Sequence, residues 1–507
     1  MLAALLLALA PPQDFASLAR TLERATDKAG YEAGAYQAAK ELADIPGPEA
    51  MALRLRLFDA RLDTYRGVYL RDWFYSGMQR FQTAEEAEQL ITAAADRRSS
   101  ELLRRLCLRA LALGDGPVPA KPMLAAAFRK APEPVRREWQ DALGLLLASG
   151  RLDLAGVRGR DPAATVRNAL RSTAPWLSGL ARVPDLPADE LADLVEAAAK
   201  ARDPGARAEL LRALAERGDV NRTALLALID RALAGDEPGP VAAALDAAVR
   251  ARVYEAAPLL VSFLERAEGR FVRDAAAALA ALTGQNLGWS PAKWRRWWEE
   301  RGGEWLRDAR AGAGLAPPAV LDGGGEEATA AVVFGLPVDS KRLAVLVDGS
   351  GSMVADHLGE RTCAEAAIAE LDAFLGQLPE GTRFELVVIA DQPVPVFGRL
   401  KPLDRRSRAT AVDFLRGYDF GGTSALYDVL VAAQHIEGVD TLVLISDGGG
   451  SSGSHQYAGH MLDGLKREFR RTGVRIHTVC VGRDGPKVRF MRDLAAATGG
   501  AAVQPGG

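Results

Sequence analysis

The chain has 507 residues, 48% of them hydrophobic and 25% charged, with a net charge of −3. That length exceeds one ordinary core and predicts at least two globular domains, and the near-neutral balance implies no basic face of the kind that nucleic-acid binding needs. Three cysteines, Cys107, Cys363 and Cys480, give neither a disulfide framework nor zinc-ligand spacing.

Residues 1–14 hold Met1, the Leu/Ala run Leu2–Ala10 and Pro11-Pro12. The run is too short to span a bilayer. It reads as the core of a secretory signal peptide, with Ala8-Leu9-Ala10 as a small-x-small cleavage pattern. The expectation is an extracytoplasmic (periplasmic or secreted) protein, with a cytoplasmic one as the alternative. Nothing further along has the length of a transmembrane span.

Residues 15–285 are rich in Ala, Leu, Arg and Glu, with apolar residues at helical spacing. Polar breaks recur, and several open similar units. Asp161-Pro162 and Asp203-Pro204 each place a capping acid before a first-turn proline, and Glu237-Pro238 repeats the pattern. A further copy at Phe271-Val-Arg-Asp lacks the proline. Pro162 to Pro204 is 42 residues and Pro204 to Pro238 is 34, a range that suits paired-helix repeats. The segment resembles degenerate HEAT-type repeats, most clearly from about residue 130. The resemblance implies an α-helical solenoid whose concave face is a protein-binding surface.

Residues 286–305 contain five of the eight tryptophans. Ser290-Pro291 opens a helix on which Trp294, Trp297 and Trp298 share one face, an aromatic stripe expected to cap the repeat stack. Residues 306–334 lose periodicity around Pro317-Pro318 and Gly323–Gly325. They read as a linker followed by a leading edge strand.

From residue 335 the pattern alternates strand and helix. Strands are expected at 343–347, 384–390, 394–399, 441–446 and 474–480. Helices are expected at about 361–378, 405–416, 424–436, 456–472 and 487–498. Continuous apolar strands between helices imply an α/β doubly wound, mostly parallel sheet covered on both faces. In the first helix Ile368, Leu371, Leu375 and Leu378 mark the buried side.

The chemistry gathers after two of these strands. Asp348-Gly-Ser-Gly-Ser352 follows the run Leu343–Val347, and Ser446-Asp447-Gly448 follows Leu442–Ile445; Gly421-Gly422-Thr423 lies between them. A carboxylate and two hydroxyls at i, i+2 and i+4 are hard oxygen ligands, suited to Mg²⁺, Mn²⁺ or Ca²⁺ and not to zinc. Each piece is expected where an open parallel sheet binds ligands, beyond the carboxyl ends of its strands.

Asp348, Ser350, Ser352, Thr423 and Asp447 together resemble the metal-ion-dependent adhesion site of von Willebrand factor A-type (VWA) domains. The resemblance covers 341–503 and implies a Rossmann-like fold binding a divalent metal, Mg²⁺ first, with Mn²⁺ or Ca²⁺ also accommodated. It implies that Ser350, Ser352 and Thr423 bind the metal when a ligand is engaged, while the aspartates act largely through water. The open coordination position then takes an exposed Asp or Glu of a partner protein. On this reading the protein is a non-enzymatic adhesion module on a helical-repeat scaffold. The alternative is a Mg²⁺-dependent phosphoryl hydrolase with Asp348 as an aspartyl nucleophile. Against it, Ser350 stands where haloacid dehalogenase-type enzymes carry a second acid, and the chain has no phosphate-gripping loop or nucleophile elbow.

Overall fold

The computed structural model describes residues 14–27, 34–59, 65–171, 178–312, 330–483 and 485–506. The signal-peptide reading of residues 1–13 and the linker reading of 313–329 fall outside them. The chain forms two compact units. One is Met1–Asp185 with the four-residue loop Ser454–Tyr457; the other is Leu186–Gly453 with Ala458–Gly507. No helix among the described residues is long and apolar enough to cross a membrane.

The first unit is built mainly of helices, including Ala35–Asp44, Tyr65–Gln79, Glu101–Leu113 and Glu133–Ala148, each packed on the next of these. Capping is written locally in the sequence. Thr83 and Glu86 form a reciprocal capping box at Ala84–Ala95, and the Ser100 hydroxyl accepts the Leu103 amide at 3.1 Å to open Glu101–Leu113. The loop 454–457 is held by one buried carboxylate. Asp72 accepts the amides of Gln456 at 2.8 Å and Tyr457 at 2.7 Å and lies 3.0 Å from His455 Nδ1.

The helical part of the second unit shows the expected Pro-initiated elements. Pro204–Ala215 begins where the Asp203 carboxylate accepts the Ala206 amide at 2.6 Å; Pro238–Arg250 begins after Glu237 without a side-chain cap. Pro204–Ala215, Pro238–Arg250 and Arg270–Thr283 pack side by side. Arg222–Ala234 and Ala257–Arg266 pack against one another and onto members of that row. Trp294 is fully buried, its indole donating to the Gly288 carbonyl at 3.0 Å. Trp297 and Trp305 stack edge-on with ring centroids 5.8 Å apart, and Trp305 meets Tyr254 at 5.9 Å. The capping segment does not stop at 305. Pro291–Trp297 runs through a π-turn at 298–302 into helix Gly303–Ala311, so the helix continues six residues into the stretch expected to be linker.

The C-terminal α/β part of this unit is a seven-stranded sheet. Its strands are β1 Arg342–Asp348, β2 Arg383–Ile389, β3 Pro393–Pro395, β4 Lys401–Pro402, β5 Thr441–Ser446, β6 Arg475–Cys480 and β7 Ala502–Val503. The order is β4-β2-β1-β5-β6-β7, with β3 also pairing β2. Pairing is parallel except where β3 and β4 run against β2. Leu343, Val345 and Val347 of β1 face a core under helices Cys363–Gln377 and Arg405–Arg416. Ala344 and Leu346 face the opposite core under Leu426–Gln434, Ala458–Thr472 and Gly485–Ala497. Both faces are therefore apolar, as continuous apolar strands demand. The strand expected at 394–399 is shorter, 393–395, because Pro393 and Pro395 confine it to the sheet edge.

Helix Ala458–Thr472 of this α/β part packs on Pro204–Ala215 and Pro238–Arg250. Its last carbonyls would otherwise lack partners. Arg212 donates to the Arg470 carbonyl, and Arg270 to the Gly473 carbonyl at 2.5 Å. Backbones come so close here that a Cβ on Gly239 would lie 2.3 Å from the Arg471 carbonyl oxygen. Ion pairs Arg475–Asp274 at 2.6 Å and Lys341–Glu268 at 3.1 Å extend the contact.

Candidate functional site

The strand order leaves β2 and β5 on opposite sides of β1, so the chain reverses its winding at the carboxyl ends of β1 and β5. Such a switch point opens a crevice where loops gather. Asp348 ends β1 and Asp447 follows β5.

Asp348 is fully buried. Its Oδ1 accepts the Ser350 amide at 3.0 Å and its Oδ2 accepts the Ser446 hydroxyl at 2.6 Å. Ser446 in turn accepts the Gly448 amide at 2.9 Å, which ties the two strand ends together. Burial pushes the Asp348 carboxyl up to about 6, and the Asp447 charge adds to the rise while the Ser446 and Ser350 hydrogen bonds oppose it. A buried carboxylate in this position favours a nearby cation. The hydroxyls of Ser350 and Ser352 lie 3.0 Å apart at the start of the same loop. Gly349 lets that loop leave β1 tightly: a Cβ there would sit 2.6 Å from Val388 and 2.9 Å from the Tyr418 ring.

The other two loops are fastened to the first. The Gly421 amide donates to the Gly349 carbonyl at 3.0 Å, which brings Thr423 to the crevice. Gly422, with φ +76°, makes the turn before it. Ser424 does not cap the next helix. That helix starts at Leu426, with Ala425 at its N-cap. Ser424 is buried and ties the 423 loop to the 449–452 loop, its amide donating to Ser451 Oγ at 2.8 Å and its hydroxyl to the Gly449 carbonyl at 3.1 Å. Asp447 is 5% exposed. Its Oδ1 accepts the Gly449 amide at 2.9 Å and its Oδ2 lies 2.8 Å from Lys487 Nζ. Asp348, Ser350, Ser352, Thr423 and Asp447 thus lie on three loops that these bonds hold together.

Two residues outside that set belong to the same place. Asp391, just past β2, accepts the hydroxyls of Thr423 and, at 2.6 Å, of Ser452. Its signal was present, because the carboxyl end of β2 adjoins that of β1. Lys487, in the first turn of Gly485–Ala497, had no local signal. The oxygen donors are hard and include no thiol or imidazole, which suits Mg²⁺, Mn²⁺ or Ca²⁺. All three cysteines are buried and free; burial pushes the Cys480 thiol up.

Residues 341–504 match the family profile described as the von Willebrand factor type A domain. This part of the chain is therefore a VWA domain, with the site at the end of its sheet where ligands of open parallel sheets sit. No curated protein sequence matches the chain significantly. Among solved structures, the chain is similar to a von Willebrand factor type A protein from Catenulispora acidiphila, at 20% identity and TM-score 0.28. That match covers 33% of this chain and only 39% of the other. An aerotolerance-related membrane protein from Bacteroides fragilis is similar at 17% identity over 32% of this chain and 90% of its own, with TM-score 0.25. The Deinococcus radiodurans RO (RSR) protein covers 96% of this chain and 92% of its own at 14% identity, with TM-score 0.22.

Proposed function

We propose that the protein is a non-enzymatic interaction module whose VWA domain holds a divalent cation, Mg²⁺ first, at Asp348, Ser350, Ser352, Thr423 and Asp447. The observation that carries this is the buried Asp348 carboxylate, oriented by Ser350 and Ser446 toward loops bearing the three hydroxyls and Asp447. When bound, the cation supplies an open Lewis-acidic position for a carboxylate oxygen. Asp348 and Asp447 set the charge of the site, and Ser350 and Ser352 present adjoining hydroxyl oxygens. The Thr423 hydroxyl donates a hydrogen bond to Asp391, which leaves its oxygen lone pairs for a cation. A partner protein offering an exposed Asp or Glu completes the arrangement. The side-by-side helices in the 204–283 region support reading 15–285 as HEAT-like repeats that add a second protein-binding surface.

A second reading, a Mg²⁺-dependent phosphoryl hydrolase, draws on one observation: Lys487 stands beside Asp447 and would grip a phosphoryl oxygen. It is the weaker reading, because the hydroxyl of Ser350 cannot serve as the general acid such chemistry needs two residues after the nucleophile. Capture of partner proteins by the wild type in Mg²⁺, by the wild type in EDTA and by Thr423→Ala tests the first reading. Proteins retained in Mg²⁺ alone support it, and equal retention in all three refutes it. Mg²⁺-dependent release of phosphate from a phosphomonoester would favour the second.

A further inference from the structure

A crevice of about 630 Å³ lies in the second unit between helices Pro238–Arg250, Arg270–Thr283 and Ala458–Thr472, well away from the adhesion-type site. Its size falls within the roughly 300–1,000 Å³ usual for small-molecule sites. Ala242, Ala277, Ala281, Gly473 and Gly499 keep its walls low, so the space is left by small side chains.

Its charges do not balance. Arg212, Arg250, Arg270, Lys466, Arg470 and Arg475 line it, against Asp246 and Asp274. Both carboxylates are already shared. Asp246 pairs with Arg250 at 2.6 Å and lies 3.8 Å from Arg212; Asp274 pairs with Arg475 at 2.6 Å and lies 3.7 Å from Arg270. Arg470 reaches outside the lining to Glu216 at 2.8 Å. Within the lining itself six cations stand against two anions, and Glu216, Glu209 and Asp440 act on Arg470, Arg212 and Arg270 from outside it. Arg212 and Arg270 are 5% and 3% exposed. The buried Nε atoms of Arg270, Arg470 and Arg475 meet no hydrogen-bond acceptor. A buried donor left unmatched costs about 1–3 kcal/mol, so the crevice is short of acceptor oxygens. Burial first, and the charge of Arg470 after it, pull the Arg212 guanidinium down to about 10 against the pull of Asp246 and Glu209.

We propose that this crevice binds a small anion bearing phosphoryl groups, of the size of pyrophosphate. Planar guanidinium forks converging from several helices match the many acceptor oxygens of a phosphoryl group better than one carboxylate does. Arg250 and Lys466 stand exposed at the rim, where they draw the anion in. Bound there, the anion would bridge the helical part and the VWA part of this unit.

The test is calorimetric titration of the full chain with pyrophosphate, against chloride at matched ionic strength and with citrate in parallel. Saturable binding is expected with pyrophosphate, together with a rise in melting temperature. The double variant Arg250→Gln/Lys466→Gln, at the exposed rim, should keep its melting temperature in chloride and lose affinity by roughly tenfold or more, as expected from lost hydrogen bonds to charged groups. Asp246→Asn should bind more tightly, since it removes a competing anion. A merely structural role for Asp246 would not produce that gain. Absence of saturable binding over chloride overturns the proposal. So does binding unchanged in both variants, which would place the anion elsewhere. Tighter binding of citrate than of pyrophosphate overturns the phosphoryl assignment.

Discussion

The hydroxyl of Thr423 donates to the carboxylate of Asp391, and Ser452 donates to the same oxygen. Residues from two loops thereby share one acceptor on a third, beside the proposed cation position. A hydroxyl that ligates a cation through its lone pairs still has to direct its proton somewhere. Asp391→Ala removes that acceptor without touching the five proposed ligands. A loss of Mn²⁺ affinity of about 10- to 100-fold is expected, as for partners that orient metal ligands in other sites. Equal titrations for wild type and Asp391→Ala would deny Asp391 the role.

Lys487 Nζ lies 2.8 Å from Asp447 Oδ2. An ammonium at that distance makes the site less negative by one charge. Lys487→Gln should therefore tighten Mg²⁺ or Mn²⁺ binding by roughly tenfold, a modest figure because the lysine is partly exposed and solvent screens it. Weaker binding in this variant would mean that the lysine serves to hold Asp447 in place.

His477 on β6 is buried, and its Nδ1 accepts the Ala501 amide at 3.2 Å. Burial, with Arg475 and Arg270 nearby, pulls its pKa down to about 4 from 6.5, against Asp274. The folded state thus prefers the neutral ring. The stability tied to it is full above about pH 6.5 and is lost as pH falls towards about 4, up to on the order of 3 kcal/mol. Urea midpoints measured from pH 7 to 4 should fall more steeply for the wild type than for His477→Gln, which keeps an acceptor for Ala501. Parallel curves would contradict this.

The Gly/Pro-rich sequence at 313–329 invites protease cleavage. The pieces should nonetheless stay together, because Arg212 and Arg270 donate to the end of helix Ala458–Thr472 and Arg475 pairs with Asp274. After limited proteolysis the fragments should co-elute in gel filtration, and Arg270→Glu should weaken that association. Separation of the wild-type fragments would contradict the packing.

Much of the α/β part was legible because its signals are local. Apolar runs flanked by helical periodicity gave β1, β2, β5 and β6, and Asp348 and Asp447 sit at the ends of two of them. Asp391 was legible by the same reasoning applied to β2 and was passed over for want of a motif. Lys487 was not legible, since only the docking of helix Gly485–Ala497 brings it to Asp447. The bonds from Arg212 and Arg270 to helix-end carbonyls join residues 258 and 203 positions apart. No short-range pattern records such pairs, so a sequence that reads as two domains and a linker gave no sign of them. A serine before a helix is a usual cap, but at Ser424 a buried loop contact takes the hydroxyl instead.

The most direct test of the central claim is a Mn²⁺ titration of wild type and Asp348→Asn, followed by calorimetry. Asp348 is buried and its carboxyl is raised to about 6, so its ionised form is costly without a cation. Asp348→Asn should fold, with stability in EDTA equal to or above that of the wild type, and should show no saturable Mn²⁺ binding where the wild type does. Equal Mn²⁺ binding by both proteins would contradict the account.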